Sequence, residues 1–348
     1  MSLRETSKAA HPTFPWLAAG DVAAVQQLLH HLNWIDADER VTSADRAGEG
    51  NMNLTLRIIT NRKRFILKQA RPWVEKYDQI AAPWDRICYE HRFYKCVQDW
   101  PTTSRMTPAV IGFDADARVL TMTEIAGARD LTGLYAGESI SNEAVEALAN
   151  FASSLHQQSH GQPAADFANR DMRTLNCEHI FRFPLRPNNG LDLDTFEPGL
   201  SDAAADLMRD DAYLKKITAA EQRYLADGDC LLHGDYFPGS WLIGDAGLFV
   251  IDPEFCFYGD REFDVAVAVA HFALANQAGA GMRLINAYGR TALSLPLVAA
   301  YAGAEIMRRL IGVAQLPIAP TTDWRRDMLS LSRRVMMDES IDLLWTSA

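Results

Sequence analysis

The hydrophobic spacing of β-strands is concentrated in the first part of this chain and helical spacing dominates the rest, and this division limits the folds that the chain can adopt. Before about residue 123 the clearest pattern is the two-residue alternation of β-strands, as in Asn53–Thr60 (NLTLRIIT). Arg64–Lys68 (RFILK) follows after a polar turn, so the two segments predict an antiparallel hairpin. Residues 108–113 and 118–123 predict a second hairpin in the same way.

Helices accompany these strands and dominate the rest of the chain. Apolar residues at helical spacing predict one helix over Gly20–Leu32 and another over about Trp84–Val97. Ser141 is a favourable cap for a third helix that runs to His156. Helical spacing returns around 203–225 and from Glu262 to the end.

The chain therefore divides into three parts. Residues 1–123 predict a small β-rich N-terminal lobe, residues 124–128 a hinge, and residues 129–348 a larger, mostly helical lobe with short β segments. Because strands and helices are segregated, the predicted fold class is α+β. Residues 163–200, rich in Pro, Asn and Gly, give no clear prediction.

Composition excludes several classes of protein. A formal net charge of −11 argues against nucleic-acid binding, because such proteins usually present a basic face. The five cysteines are scattered and form no CxxC pair, so we expect reduced thiols in a cytoplasmic protein rather than disulfides or a zinc site. The most apolar stretch, Phe263–Ala275, is too short to span a bilayer, and residues 1–16 have no apolar core of signal-peptide length. No membrane association is expected.

Two aspartates, Asp235 and Asp252, have the arrangement that phosphoryl transfer needs. Asp235 follows an apolar strand and sits beside Gly234, which lets the backbone turn sharply. Asp252 lies seventeen positions later, at the end of another apolar strand that Pro253 terminates. A hairpin of this length can bring the two loops side by side. Phosphotransferases use one carboxylate near the attacking hydroxyl and others to hold Mg²⁺ against the phosphates.

A glycine-rich string, GEGNMN, opens the first hairpin. Its small residues could cover phosphates, and the expected nucleotide contacts are Gly48, Gly50, Asn51 and Asn53. Lys68 on the next strand would clamp the phosphates, and Glu90 on the following helix is the carboxylate that would hold Lys68. Each feature alone is common. The prediction therefore depends on their order ahead of the loop His233–Gly234–Asp235, called the HGD loop below.

In these strings the chain resembles the aminoglycoside phosphotransferase and choline kinase superfamily, and within it the methylthioribose kinases. GEGNMNLTLRI…FILKQARPWVEKY resembles that family's glycine loop and lysine strand, and HGDYFPGS…VIDPEFCFYG its catalytic and metal-binding loops. AGAEIMRRLIGVAQLP resembles the helix with its twin arginines. The resemblance runs from Gly48 to about Pro317. It implies a protein-kinase-like two-lobed fold and an ATP- and Mg²⁺-dependent kinase of a small-molecule hydroxyl, with the anomeric hydroxyl of a 5-methylthioribose-like or 5-deoxypentose sugar as acceptor.

The resemblance also implies roles for residues that agree with the chemistry above. Asp235 is the implied catalytic base, and Asp252 a Mg²⁺ ligand with Glu254 as a second. Lys68 would contact the ATP phosphates, braced by Glu90.

Further positions follow from the same resemblance. The backbone of Glu124–Ile125 would receive adenine. Ser240 is a cofactor-binding position, at which most of the superfamily has a metal-binding Asn and the methylthioribose branch a Ser. Arg308 and Arg309 match the twin arginines and are placed with the catalytic residues. Because adjacent helix residues point about 100° apart, we expect one of them to reach the site and the other to lie on a solvated face.

Departures from the family concern the acceptor. Tyr236–Phe237–Pro238 replaces a more polar stretch, which suggests a wall for an apolar 5-substituent, whereas YGDREFDVA is closer to fructosamine kinases. A kinase of an amine-bearing acceptor, such as an aminoglycoside, a fructosamine or choline, therefore stays an alternative. Asp206, Asp210 and Asp211 could supply the acidic patch that such an acceptor needs.

A nucleotide-binding pseudokinase is a further alternative, which the presence of Lys68, Asp235 and Asp252 disfavours. The expected partner is a small-molecule sugar or amino-sugar substrate, without nucleic acid or membrane, and a homodimer is left open. His156 and His160 have the spacing of a metal pair but lack an evident third ligand, so they are interpreted as core or surface residues.

Overall fold

The structure of the protein is a computed structural model that describes residues 2–48, 52–162, 165–318 and 323–346. It contains two compact units, residues 1–127 with 244–246 and residues 128–243 with 247–348. The first unit is rich in strands and the second is mostly helical, which confirms the α+β fold class. The division after Gly127 lies within residues 124–128, whose role as a hinge stays a prediction.

A five-stranded antiparallel sheet organises the first unit. The strands of this unit are β1 (Val41–Arg46), β2 (Leu54–Thr60), β3 (Arg64–Gln69), β4 (Trp73–Val74), β5 (Tyr77–Ala81), β6 (Val110–Asp114) and β7 (Val119–Thr123). The order in the sheet is β1-β2-β3-β7-β6, so β3 is central. Both predicted hairpins, β2–β3 and β6–β7, are confirmed, whereas β1 and the small β4–β5 pair were not predicted.

The helices of the first unit are α1 (Leu3–Ala10), α2 (Val22–His31), α3 (Arg86–Val97) and α4 (Pro101–Ser104). Helices α2 and α3 match the two that the sequence predicts. Alternate residues of β2 are buried in one core with the apolar face of α2, which contributes Val25 and Leu29. This packing fixes the register of β2, and through it that of the neighbouring strand β3.

The second unit combines many helices with short strands. Its strands are β8 (Arg129–Asp130), β9 (Cys230–Leu232), β10 (Trp241–Gly244), β11 (Gly247–Val250) and β12 (Phe257–Gly259). Its helices are α5 (Asn142–Ser159), α6 (Arg170–Cys177), α7 (Leu200–Arg209), α8 (Asp211–Leu225), α9 (Glu262–Leu274), α10 (Ala278–Tyr288), α11 (Leu295–Ile311), α12 (Trp324–Met337) and α13 (Leu343–Thr346). β12 pairs with β9, and β10 lies between β11 and β8. The helical spacing at 203–225 belongs to two helices, separated at Asp210, whose side chain caps α8.

Two helices form the centre of the second unit. Almost every residue of α9 is buried, as are most residues of α11, and the two helices pack on each other. A helix that is buried on all sides has no polar face, so its polar residues need partners inside the protein. In the described ranges no helix combines the length and hydropathy needed to cross a membrane.

Gly303 tests how closely α11 packs on α12. A Cβ at Gly303 would lie 2.8 Å from the carbonyl oxygen of Ser332 and 2.2 Å from Cγ of Met336. We expect Gly303→Ala to reduce the free energy of unfolding by about 1–3 kcal/mol, because the two helices must move apart. Chemical denaturation measures this loss. Gly279→Ala in α10, where an added Cβ meets nothing within 4 Å, is the matched control and should leave stability unchanged or slightly raised. Equal stability of both variants would contradict the close packing.

Candidate active site

In the first unit the structure brings Lys68 and Glu90 together. Nζ of Lys68, on the central strand β3, lies 2.5 Å from Oε1 of Glu90 on α3. Both side chains are buried, with 6% and 0% of their surface exposed. A buried lysine is stable when a carboxylate balances its charge, so Glu90 offsets the charge of Lys68 and fixes its direction.

The glycine-rich string is described in part. Gly48 has a left-handed backbone with φ of 74°, and Asn53 is buried, whereas Gly50 and Asn51 lie outside the described residues. The far end of the string is anchored, since the buried guanidinium of Arg86 donates to the carbonyl oxygen of Met52 at 2.7 Å. The predicted contacts of these residues with phosphates stay predictions.

The residues predicted to receive adenine follow β7. Glu124 accepts a hydrogen bond from Nε of Arg57 at 2.5 Å, and Ile125 is half-buried. The carbonyl oxygen of Ala126 accepts a hydrogen bond from the backbone N–H of Asp245 at 3.0 Å. No observation here tests the adenine assignment, which stays a prediction.

In the second unit the backbone of the HGD loop is held by one carboxylate. Asp264, on α9, accepts hydrogen bonds from the backbone N–H groups of His233 at 2.7 Å and Gly234 at 2.9 Å. Gly234 has φ of 83°, and a Cβ there would lie 2.2 Å from the carbonyl oxygen of Phe255, so glycine is required. The loop that presents Asp235 is therefore built on a buried anion.

A histidine and a tyrosine support Asp264 from the other side. Nε2 of His156 lies 3.1 Å from Oδ2 of Asp264, and Nδ1 of His156 lies 2.9 Å from the hydroxyl of Tyr288. Burial alone would raise the pKa of Asp264, but the hydrogen bond and charge of His156 hold it below the usual value. His156 thus has a core role, as the sequence indicates. His233 supports the loop too, since its Nε2–H donates to the carbonyl oxygen of Ile251 at 2.9 Å.

Both twin arginines lie beside Asp235. An NH2 nitrogen of Arg308 is 3.5 Å and one of Arg309 is 3.8 Å from Oδ1 of Asp235. Their side chains are 7% and 8% exposed, so the expectation that one of them lies on a solvated face is wrong. The side chain of Asp235 is 23% exposed, which leaves the carboxylate accessible. Burial raises the pKa of Asp235, and the positive charges of Arg309 and Arg308 oppose the rise.

One buried glutamate, Glu305, holds both arginines. Its Oε1 accepts from Nε of Arg309 at 2.9 Å, and its Oε2 accepts from Nε of Arg308. Nε2 of His271 lies 2.9 Å from the same Oε1, and Nδ1 of His271 lies 2.5 Å from the hydroxyl of Tyr135. Burial would raise the pKa of Glu305, but the two guanidinium charges hold it well below its usual value, so Glu305 is ionised. Two guanidinium groups and two carboxylates make a cluster of zero net charge around Asp235.

The donor set at Asp252 fits Mg²⁺. Asp252 follows β11 in a left-handed conformation with φ of 65°, and Glu254 lies two residues later in the same turn. Asn169 fixes this turn, since its side-chain amide donates to the carbonyl oxygens of Glu254 and Cys256. The described residues contain no cluster of three or more metal-binding side chains. Mg²⁺ commonly takes one or two carboxylates together with substrate phosphates and water, so a two-carboxylate site suits it.

Ser240 is part of the HGD loop in the structure. Its hydroxyl donates to the carbonyl oxygen of Asp235 at 2.9 Å, and the residue is 2% exposed. This contact stiffens the turn Pro238–Ser240 beside Asp235. The contact of Ser240 with a cofactor stays a prediction.

The predicted Tyr236–Phe237–Pro238 wall is largely wrong. Tyr236 is 1% exposed, its hydroxyl donates to the carbonyl oxygen of Leu148, and its ring stacks on Phe151, so it belongs to the core. Pro238 is buried as well. Phe237 alone is half-buried, and the guanidinium carbon of Arg309 lies 4.8 Å from the centre of its ring. Because Tyr236 and Pro238 are buried, their side chains are not available to line a ligand pocket.

Asp206, Asp210 and Asp211, which were considered for an acidic patch, have local structural roles in the helices that contain them. Asp210 caps α8 and pairs with Arg333, and exposed Asp206 pairs with Arg209 three residues later. Asp211 lies in the first turn of α8, where a negative charge favours the helix. These contacts account for the aspartates without an amine ligand.

Sequence reasoning missed Asp264, Glu305, His271 and Tyr135. A signal for Glu305 was present, because it precedes the twin arginines by three and four residues and so shares their helix face. The pairs Tyr135–His271 and His156–Asp264 lie 136 and 108 residues apart in sequence, so no local pattern connects them.

Comparisons with known proteins agree with this geometry. Residues 43–303, about three quarters of the chain, match the model of the phosphotransferase enzyme family APH. The chain belongs to this family. The match ends before Arg308 and Arg309, whose placement beside Asp235 comes from the structure.

Two relatives of this APH-family protein are methylthioribose kinases. That of Klebsiella pneumoniae (strain 342) is 28% identical over 264 residues, and that of Cronobacter sakazakii (strain ATCC BAA-894) is 28% identical over 287 residues. The alignments cover 69% and 76% of this chain but only 62% and 66% of the relatives. A crystal structure of LicA in complex with AMP is 14% identical, covers 93% of this chain and 100% of that chain, and has a TM-score of 0.55, which shows a shared fold.

Asp235→Asn tests the predicted base. The amide has the shape of the carboxylate but cannot accept a proton, so we expect kcat to fall by about 10²–10⁴-fold while ATP still binds. Steady-state kinetics and calorimetric titration with ATP measure the two effects. Asp202→Asn, at an exposed position in the first turn of α7, is the control and should be unaffected. Near-normal turnover of Asp235→Asn would remove this residue from the mechanism.

Lys68→Met tests the predicted phosphate clamp. We expect KM for ATP to rise by at least about tenfold, since a charge-assisted contact with phosphate is lost. The variant should also lose about 3–5 kcal/mol of stability, because the buried carboxylate of Glu90 loses the charge of Lys68.

A second substitution separates these two effects. Lys68→Met combined with Glu90→Gln should recover most of the stability but none of the ATP use. Lys216→Met removes a lysine that is 36% exposed and pairs with the exposed Glu339, so it should change neither. Normal KM for ATP in Lys68→Met would show that the clamp is assigned wrongly.

Proposed function

We propose that this protein is an ATP- and Mg²⁺-dependent kinase of a neutral sugar, with the anomeric hydroxyl of 5-methylthioribose or a 5-deoxypentose as acceptor. Membership of the APH family supports the phosphotransferase activity. The similarity to methylthioribose kinases supports the sugar, although it spans less than two thirds of their length. The observation that favours the proposal most is the pair of buried arginines beside the accessible carboxylate of Asp235.

The roles of the charged groups follow from phosphoryl transfer. Asp235 accepts the proton of the attacking hydroxyl, which its raised pKa favours, since a stronger base takes the proton more readily. Arg308 and Arg309 are hydrogen-bonded to Glu305 through Nε, and their distances to Asp235 exceed those of ordinary hydrogen bonds. Their outer nitrogens can therefore turn to the transferring phosphoryl group and stabilise its charge.

The proposed binding group for the ATP phosphates is Lys68 of the first unit, fixed by Glu90. Asp252 and Glu254 of the second unit would hold Mg²⁺, which would neutralise charge on the nucleotide phosphates. These are the oxygen ligands that Mg²⁺ prefers.

The two guanidinium groups nearest Asp235 favour a neutral acceptor. They lie within 4 Å of the predicted base and would repel a cationic amine placed directly beside them, although Glu305 and Asp235 make the whole cluster neutral. The aspartates that could have attracted an amine are held in a helix cap, a helix turn and surface pairs. Phe237 is the half-buried apolar side chain beside Arg309, where an apolar 5-substituent could pack.

An acceptor panel tests the substrate class. With Mg²⁺ and ATP, we expect phosphorylation of 5-methylthioribose or a 5-deoxypentose and no phosphorylation of kanamycin, a fructosamine or choline. Phosphate transfer is followed by ADP release and by mass spectrometry of the sugar. The reverse preference would assign the protein to the amine-acceptor branch, and nucleotide binding without transfer to any acceptor would make it a pseudokinase.

A further inference from the structure

We propose that Glu305 is a positioning residue of the phosphoryl transfer, holding both arginines by their Nε atoms so that their outer nitrogens face the reacting groups beside Asp235. The proposal rests on the function proposed above and names a residue whose role lies behind the site. Glu305 acts through Arg308 and Arg309, whose Nε–H groups it accepts.

The helix geometry explains how one carboxylate holds two adjacent arginines. Arg308 and Arg309 follow Glu305 by three and four residues, and both positions lie on the face of the helix that Glu305 occupies. Each oxygen of Glu305 takes the Nε–H of a different arginine. With Nε bonded to Glu305, the neighbouring Nη2 of each guanidinium is the nitrogen that lies nearest Oδ1 of Asp235.

The direction of Glu305 is itself fixed by a chain of hydrogen bonds. Burial lowers the pKa of His271 to about 4, so its imidazole is neutral at pH 7. A carboxylate only accepts hydrogen bonds, so Nε2 of His271 carries the hydrogen and donates to Glu305. Nδ1 of His271 then accepts from the hydroxyl of Tyr135. Every contact in this chain has one donor and one acceptor, so the carboxylate cannot rotate without breaking one.

Glu305 also balances charge at the base. Without it, two cations would face the single carboxylate of Asp235, bind it more closely and lower its pKa. The negative charge of Glu305 acts in the opposite direction and raises the pKa of Asp235. The titratable and charged groups around this cluster are Asp235, His233, Tyr135, His271, His179, Tyr224, Arg308 and Arg309.

Glu305→Gln tests the proposal because it removes the charge and keeps the shape. We expect kcat to fall by roughly 10–10²-fold with a smaller change in the sugar KM, since the arginines act on charge that develops during transfer. Activity needs ionised Asp235, so it is lost as the pH falls through the pKa of that carboxyl. Removal of the Glu305 charge lowers this pKa, and the acidic limb of the pH–rate profile should move to lower pH. A residue with a purely structural role would not move that limb.

Glu197→Gln is the matched control. Glu197 is also a buried glutamate of the second unit with an arginine partner, and it accepts from the backbone N–H groups of Arg325 and Arg326. Its loss should lower the melting temperature and leave the acidic limb in place. Glu305→Asp keeps the charge but shortens the reach, so kcat should fall while the acidic limb stays near its original pH. This variant also decides the matter if Glu305→Gln does not fold.

The outcomes distinguish this proposal from the function on which it rests. If the protein transfers phosphate to no acceptor, or Asp235→Asn is fully active, the proposed function fails. If Asp235→Asn is inactive but Glu305→Gln has normal kcat and an unmoved acidic limb, only the role of Glu305 is overturned. An acidic limb that moves equally in Glu197→Gln would also overturn it, because the shift would then follow general loss of stability.

Discussion

A buried carboxylate must find enough hydrogen-bond donors to replace water, and this requirement shapes the second unit of the protein. Asp264 and Glu305 are each 1% exposed and each ionised, so each is surrounded by donors. Those donors are the backbone and arginine N–H groups that position Asp235 and the guanidinium groups beside it. Asp264 takes the backbone N–H groups of the HGD loop, and Glu305 takes the Nε–H groups of the twin arginines. Asp235, the proposed base, and the arginines beside it are thus oriented by two buried anions.

The two anions are supported in the same way. Each carboxylate is contacted by Nε2 of a histidine, whose Nδ1 contacts a tyrosine hydroxyl. At Asp264 these are His156 and Tyr288, and at Glu305 they are His271 and Tyr135. Asp264 and His271 both belong to α9, whose burial on all sides leaves its polar residues no solvent. This explains why so apolar a helix contains them. In the first unit Lys68 and Glu90 follow the same principle with one cation and one anion.

The fold was largely predictable because its signals are local. Alternation of apolar residues gave the two hairpins, and helical spacing gave α2, α3 and α5, since these periods depend on near neighbours. Strand β1 was missed because VTSADR lacks a clear apolar alternation, and its pairing with β2 decides its structure. The pairing of Lys68 with Glu90 was inferred from the order of elements, and the structure brings them together. The apolar wall at Tyr236–Phe237–Pro238 was misjudged because sequence cannot tell whether an aromatic residue faces the core or a ligand.

By itself the sequence determined which residues could perform the chemistry: the HGD and IDPE strings, the lysine strand and the twin arginines. These are patterns within one loop or one helix, where chain geometry sets the spacing. Only the tertiary structure decided that both arginines are buried beside Asp235 and that Glu305 and Asp264 are each held by a histidine and a tyrosine. Contacts such as Tyr135–His271 join residues 136 positions apart, and they depend on how helices pack rather than on any local period.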